Sequence, residues 1–268
     1  MTEARLAVLG AVLIVGQVAL LPPARLGFER LCARVQASRN VFFARWGFVD
    51  LIKVLLFGLL LAFGVQQLPF PEGVLGDLLR TVCILHGMAF LCHRVAVRSE
   101  PTGARALGFE SRGAISAVVA GVFLYLALWP GLAGLTLVSP WLVDQLGGVF
   151  ELQQALDVLA LEGGSRLFAF ALVVLLIPLL EEVLFRGFLQ PLLVQNLRET
   201  GGVAMTSLLF AALHGQSAFF AVFGLSCVLG ACQLRTQRIY ASFAVHALHN
   251  ASVLFLHLRY PEIQQTFS

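Results

Sequence analysis

The last third of the chain places side chains able to move protons inside otherwise apolar runs. The string Pro178-Leu-Leu-Glu-Glu-Val-Leu-Phe-Arg-Gly187 holds Glu181, Glu182 and Arg186; His214 closes Phe210-Ala-Ala-Leu-His214; and His246 and Asn250 share His246-Ala-Leu-His249-Asn250. A carboxylate with imidazoles within reach is equipped for proton transfer. An ionisable group in hydrocarbon costs about 2.5–3.5 kcal/mol on insertion scales, so it normally faces the bundle interior and is paired or functional.

Helical spacing turns these strings into geometry. Glu182 and Arg186 are four apart with the acid N-terminal, the favourable order for an ion pair within one helix. Glu181 is turned by roughly 100° from its neighbour and is free to point elsewhere. His246 and Asn250 are also four apart and share a face, which His249 shares less well. Pro178, just before the acids, removes an N–H and predicts a kink. At 1.5 Å per residue, Arg186 and Glu181 lie about 16–24 Å from the Arg-rich side, His214 about 18 Å, and His246 and Asn250 about 10–16 Å. Three helices can bring them to one level.

The elements that must position them are spans. Of 268 residues, 59% are hydrophobic and 12% charged, against roughly 45–50% and a quarter in soluble domains. With a mean hydropathy of +0.87, this excludes an ordinary soluble domain, disorder and a disulfide mini-protein. Spanning runs of about 20 residues are expected at 6–23, 47–66, 76–97, 113–138, 166–197, 202–215, 217–234 and 239–258. The fold class is therefore all-α, a polytopic membrane bundle of about eight transmembrane helices. It divides into N-terminal transmembrane helices and amphipathic loops at 1–165 and catalytic transmembrane helices at 166–258, within one membrane domain. The first run reads as a retained span rather than a signal peptide.

Loop charges support that count. Segment 24–46 carries Arg25, Arg30, Arg34, Arg39 and Arg45 with one acid, and 67–75 carries Glu72 with no base. Arg94, Arg98, Arg105 and Arg112 follow, then Asp144, Glu151, Asp157 and Glu162 with no base across 139–165, then Arg235 and Arg238. The alternation puts both termini away from the cytoplasm. Segment 24–46 is expected along the headgroups and a short surface helix at Val149 to Leu161. A net charge of +3 argues against a nucleic-acid partner; the expected partners are the lipid bilayer and a membrane-anchored protein or peptide. The expected location is a bacterial inner (plasma) membrane, multi-pass.

At Glu181-Glu182-x-x-x-Arg186, Phe210-x-x-x-His214 and His246-x-x-x-Asn250, in that order, the sequence resembles the CPBP family of type II CAAX prenyl endopeptidases and bacteriocin-processing membrane proteins. The resemblance covers roughly 175–255. It implies a glutamate-dependent intramembrane peptidase acting on a CAAX-like C-terminus, a leader peptide or a C-terminal sorting signal. Glu181 would activate a water with His214 orienting or sharing the proton, His246 and Asn250 would stabilise the oxyanion, and Glu182 and Arg186 would support the site. The family often carries the label metalloprotease, yet the chain has no His-Glu-x-x-His; zinc held by Glu181, His214 and His246 is chemically possible, ranked below a mechanism needing no cofactor.

Other readings compete. The same cluster could glue helices in a catalytically silent scaffold or bacteriocin-immunity-type protein, and a transporter is disfavoured by the absence of a repeat. There is no Gly-x-Ser-Gly and no Gly-x-Gly-Asp to support a serine or aspartyl protease. Asn250 could be interhelical glue, Phe210 packing beneath the site, and His86, His93 and His257 ordinary or interfacial histidines. Asp50 with Lys53 and Arg80 read as interfacial charges. The five cysteines form no Cys-x-x-Cys pair.

Overall fold

The computed structural model describes residues 3–35, 44–99, 103–148 and 154–260, and every regular element among them is helical. Four long helices come first: α1 (Glu3–Val35), α2 (Phe48–Gln66), α3 (Val74–Ser99) and α4 (Ala114–Gln145). A nearly continuous helical run follows, made of α5 (Gly163–Ala171), a π segment (Leu172–Leu176), α6 (Ile177–Glu182), a second π segment (Val183–Leu189) and α7 (Gln190–Ala212). The chain closes with α8 (Phe219–Thr236) and α9 (Ile239–Arg259).

Among the described residues, seven of these runs are long and apolar enough to cross a membrane. The protein is a multi-pass integral membrane protein. The fifth run, Gly163–Ala212, counts 50 residues, which at 1.5 Å each would reach about 75 Å if straight, far beyond a hydrocarbon core of about 30 Å. It is folded back at Arg198, whose φ of 64° and ψ of 174° break the helix. A Cβ on Gly202 would lie 2.5 Å from the Val194 Cα; eight residues apart on a straight helix, the two would be about 12 Å apart. The break at Arg198 separates the runs expected at 166–197 and 202–215, but the described residues carry seven candidate spans where about eight were expected, because the second limb ends at Ala212; the all-α bundle is as the sequence indicated.

Two differences from the sequence reading have local causes. α1 continues through Pro22 and Pro23 to Val35, so Arg25 and Arg30 extend the first helix, with Arg25 paired to Glu29 at 2.9 Å; residues 36–43 of the expected headgroup segment lie outside the described residues. Part of the surface helix expected at Val149 to Leu161 is present as a 3-10 helix, Gln154–Ala160, and 149–153 lie outside the described residues. Asp50 does pair with Lys53 at 3.1 Å. Arg80 meets Asp77 at 2.8 Å and lies 5.6 Å from the Phe70 ring centroid.

Small residues allow close helix contact, as membrane bundles require where lipid offers no hydrophobic drive. A Cβ on Gly10 would lie 2.6 Å from the Gly134 carbonyl, and the converse holds at 2.6 Å, locking α1 to α4. A Cβ on Gly121 would lie 2.4 Å from the Ala241 carbonyl, bringing α4 to α9. Pro130 interrupts α4, and a side chain from α1 bridges the break. Gln17 donates from Nε2 to the Ala127 carbonyl and accepts the Gly131 N–H at Oε1, each at 3.1 Å. Those two backbone groups are partners in an unbroken α-helix.

Candidate active site

The helix bearing the glutamates leaves α-helical register on both sides of them. Each π segment is followed, after one intervening residue, by a proline: Pro178 after Leu172–Leu176 and Pro191 after Val183–Leu189. Proline brings no N–H and its ring opposes the carbonyl four residues back, so the ladder slips from i→i+4 to i→i+5 bonding. Glu181 and Glu182 occupy the six-residue α-turn between the two slips, and Arg186 sits within the second. Both slips expose backbone carbonyls to side chains of other elements. The Val173 carbonyl accepts from Asn250 Nδ2 at 2.9 Å, and the Phe188 carbonyl from Trp46 Nε1 at 2.9 Å.

The deepest part of the site is an ion network. Glu182 and Arg186 are fully buried, with Glu182 Oε2 3.6 Å from Arg186 Nε. Arg186 Nη2 donates to Ser226 Oγ of α8 at 2.9 Å, and its guanidinium carbon lies 4.7 Å from the centroid of the Phe210 ring. The other oxygen of Glu182 accepts from His246 Nδ1 at 3.0 Å. Phe210 is a wedge beneath this network. Its centroid is 4.9 Å from that of Phe185, 4.3 Å from that of His214 and 5.7 Å from that of His246.

Glu181 points away from Glu182, as the turn of one residue requires, and meets both histidines. His214 Nε2 stands 3.8 Å from its Oε1 and His246 Nε2 3.7 Å from its Oε2. His214 Nδ1 is 2.7 Å from the Phe210 carbonyl; a carbonyl only accepts, so Nδ1 carries the hydrogen. His246 Nδ1 likewise donates, to the Glu182 carboxylate. Both rings thus turn Nε2 toward one carboxylate, whose side chain is 15% exposed beside a His214 at 28%. This arrangement can hold a small polar molecule against Glu181 and pass a proton between the carboxylate and either ring.

Glu181, His214 and His246 are also the side chains through which zinc would have to be held. Among the described residues, no group of three or more His, Cys, Asp and Glu side chains is arranged to hold a metal ion.

Glu181, Glu182, Arg186, His214 and His246 therefore form one connected group. Asn250 lies one turn beyond His246 on α9, and its amide is engaged by the first π segment. His249 faces Tyr125, ring centroids 6.3 Å apart, and Tyr125 in turn donates to Ser252 at 2.9 Å. Two participants have little sequence signal. Ser226 is a hydroxyl within Phe223-Gly-Leu-Ser-Cys-Val-Leu-Gly230, and Trp46 stands far away in the chain. The proline that trails each π segment is the one mark of those segments in the sequence.

Residues 163–252 match the sequence model of the family described as Type II CAAX prenyl endopeptidase Rce1-like. They form an Rce1-like domain, which contains all three motifs and every member of the connected group. No curated protein and no solved structure matches the chain.

Proposed function

We propose that this protein is an intramembrane endopeptidase in which Glu181 is the general base and that it needs no cofactor. The observation carrying this reading is the convergence of two Nε2 atoms, each at 3.7–3.8 Å, on the two oxygens of one carboxylate. Such separations suit a water molecule held between ring and carboxylate at about 2.8 Å from each. Glu181 takes a proton from that water, whose oxygen attacks the scissile carbonyl of a membrane-tethered peptide. The resulting oxyanion is met by His246 and Asn250. Nδ1 of His246 is committed to Glu182, so its contact with the oxyanion is made through Nε2 and requires a hydrogen on that atom. Asn250 has a second amide hydrogen beyond the one given to Val173. The proton on Glu181 then passes, directly or through His214, to the leaving amine as the C–N bond breaks.

The substrate class that fits best is a prenylated CAAX-type C-terminus, on the strength of the family match. In keeping with the bacteriocin-processing proteins that the motifs resemble, we assign the enzyme to a bacterial inner (plasma) membrane. The test is cleavage of three tethered peptides by protein purified into liposomes: a prenylated CAAX peptide, a leader peptide and a C-terminal sorting signal. Wild type cleaves at least one, and Glu181→Gln cleaves none while unfolding at the wild-type temperature. Equal cleavage by Glu181→Gln would remove the base assignment, and abolition by a strong chelator would reinstate a metal. No cleavage by wild type, with Glu181→Gln and His214→Ala both supporting normal cell phenotype, would favour the silent scaffold.

A further inference from the structure

We infer that Trp46, which lies outside residues 163–252, is a positioning residue for the glutamate network, held there by a hydrogen bond into the second π segment. Its indole Nε1–H donates to the Phe188 carbonyl at 2.9 Å. Its ring stacks on that of Phe188, centroids 4.9 Å apart and planes 3° from parallel. Trp46 is buried, in a cluster with Val54 of α2, Ala89 and Cys92 of α3, Leu107, and Leu184 and Phe188 of the π segment. One side chain thus couples the start of α2 to the segment bearing Arg186.

The coupling matters because that segment is not in its default register. A π turn persists only where the surroundings hold it. Val183–Leu189 begins directly after Glu182 and carries Arg186, so its register sets where Arg186 Nε meets Glu182 and how Glu182 meets His246. A buried carbonyl at the end of such a segment needs its donor. The Trp46 indole supplies one from just before α2, outside α7, α8 and α9. The backbone of the same segment is braced from another side: a Cβ on Gly187 would lie 2.9 Å from the Leu107 carbonyl. The N-terminal helices therefore take part in the geometry of a site whose functional groups all lie on later ones.

This inference rests on the proposed peptidase reading, and the experiment separates the two. Trp46→Phe keeps the stack and removes the donor; Trp46→His keeps a ring N–H; Trp141→Phe, on α4, is the control. Two quantities are read in liposomes or nanodiscs: kcat and KM per folded molecule on the tethered peptide that wild type cleaves best, and the 15N resonance of His246 Nδ1 in histidine-labelled protein. A displacement of the order of 1 Å in a catalytic group costs about 100-fold, so Trp46→Phe should lower kcat by about 10- to 100-fold at unchanged KM. It should also shift the His246 Nδ1 resonance, while Trp46→His recovers part of both and Trp141→Phe changes neither. A role confined to packing would lower the unfolding temperature and leave kcat per folded molecule and the His246 resonance as in wild type; that result, or identical behaviour of the Phe and His variants, overturns the inference. If wild type cleaves no peptide, the peptidase reading fails, and the resonance alone still decides the position of Trp46.

Discussion

The Glu182–Arg186 pair offers a quantitative test of why a bilayer protein keeps two charges where its solvent accepts none. At 3.6 Å and an effective dielectric of 20, their attraction is about 4–5 kcal/mol. The hydrogen bond from Arg186 to Ser226 adds about 1.5–3 kcal/mol and the approach to Phe210 about 2 kcal/mol. Against these stand the desolvation costs of two fully buried ions, so the net worth of the pair is small while the cost of breaking it is not. Arg186→Met leaves the buried Glu182 carboxylate with His246 as its remaining partner and should destabilise the fold by about 3–5 kcal/mol. For a chain of this size that lowers the unfolding midpoint by roughly 6–20 °C. Glu182→Gln should cost a similar amount, because it strands Arg186 and weakens the tie to His246. The combination Glu182→Gln with Arg186→Met should recover most of the loss, since no buried charge remains, yet stay inactive if the network orients His246. Thermal unfolding in one detergent, followed for all four proteins, measures the coupling. A single variant as stable as wild type, or a double variant whose loss is the sum of the two singles, would refute the reasoning.

Three further outcomes follow from particular contacts. Asn250→Ala should lower stability by about 1 kcal/mol through loss of the bond to Val173 and, if its free amide hydrogen meets the oxyanion, reduce kcat by about 10²–10³-fold; a rate unchanged per folded molecule would confine Asn250 to bracing the π segment. Gln17→Leu should cost about 1–3 kcal/mol, because it leaves the broken ladder at Pro130 without its bridge, read as a lower unfolding midpoint at unchanged cleavage per folded molecule. Arg198→Gly should stabilise by about 1–3 kcal/mol, since φ 64° with ψ 174° lies in a region that only glycine adopts without strain; a lower midpoint would place the value of Arg198 in its side chain.

Much of the site was legible because the signal there is thermodynamic and local. A charge inside an apolar run demands a partner, and i→i+4 spacing names one on the same helix, so Glu182–Arg186 could be read without a fold. The same logic separated Glu181 from its neighbour by one residue of helical rotation, and the structure turns the two carboxylates apart in that way. The 50-residue run was divisible for a similar reason: Arg198 and Glu199 interrupt apolar sequence where a bilayer-length helix has to end, although the tight reversal depends on Gly202 meeting Val194.

What the chain determines alone is its solvent, its helices and the side chains that solvent cannot explain, since each follows from composition or from a period of 3.6 residues. The tertiary structure decided which histidine nitrogen faces which oxygen, that Asn250 reaches the carbonyl of Val173, and that Trp46 reaches that of Phe188. Those contacts join residues 64, 77 and 142 positions apart. No local propensity encodes them, because the last two depend on where a π slip leaves a carbonyl, and all three on which neighbouring element packs closely enough to answer.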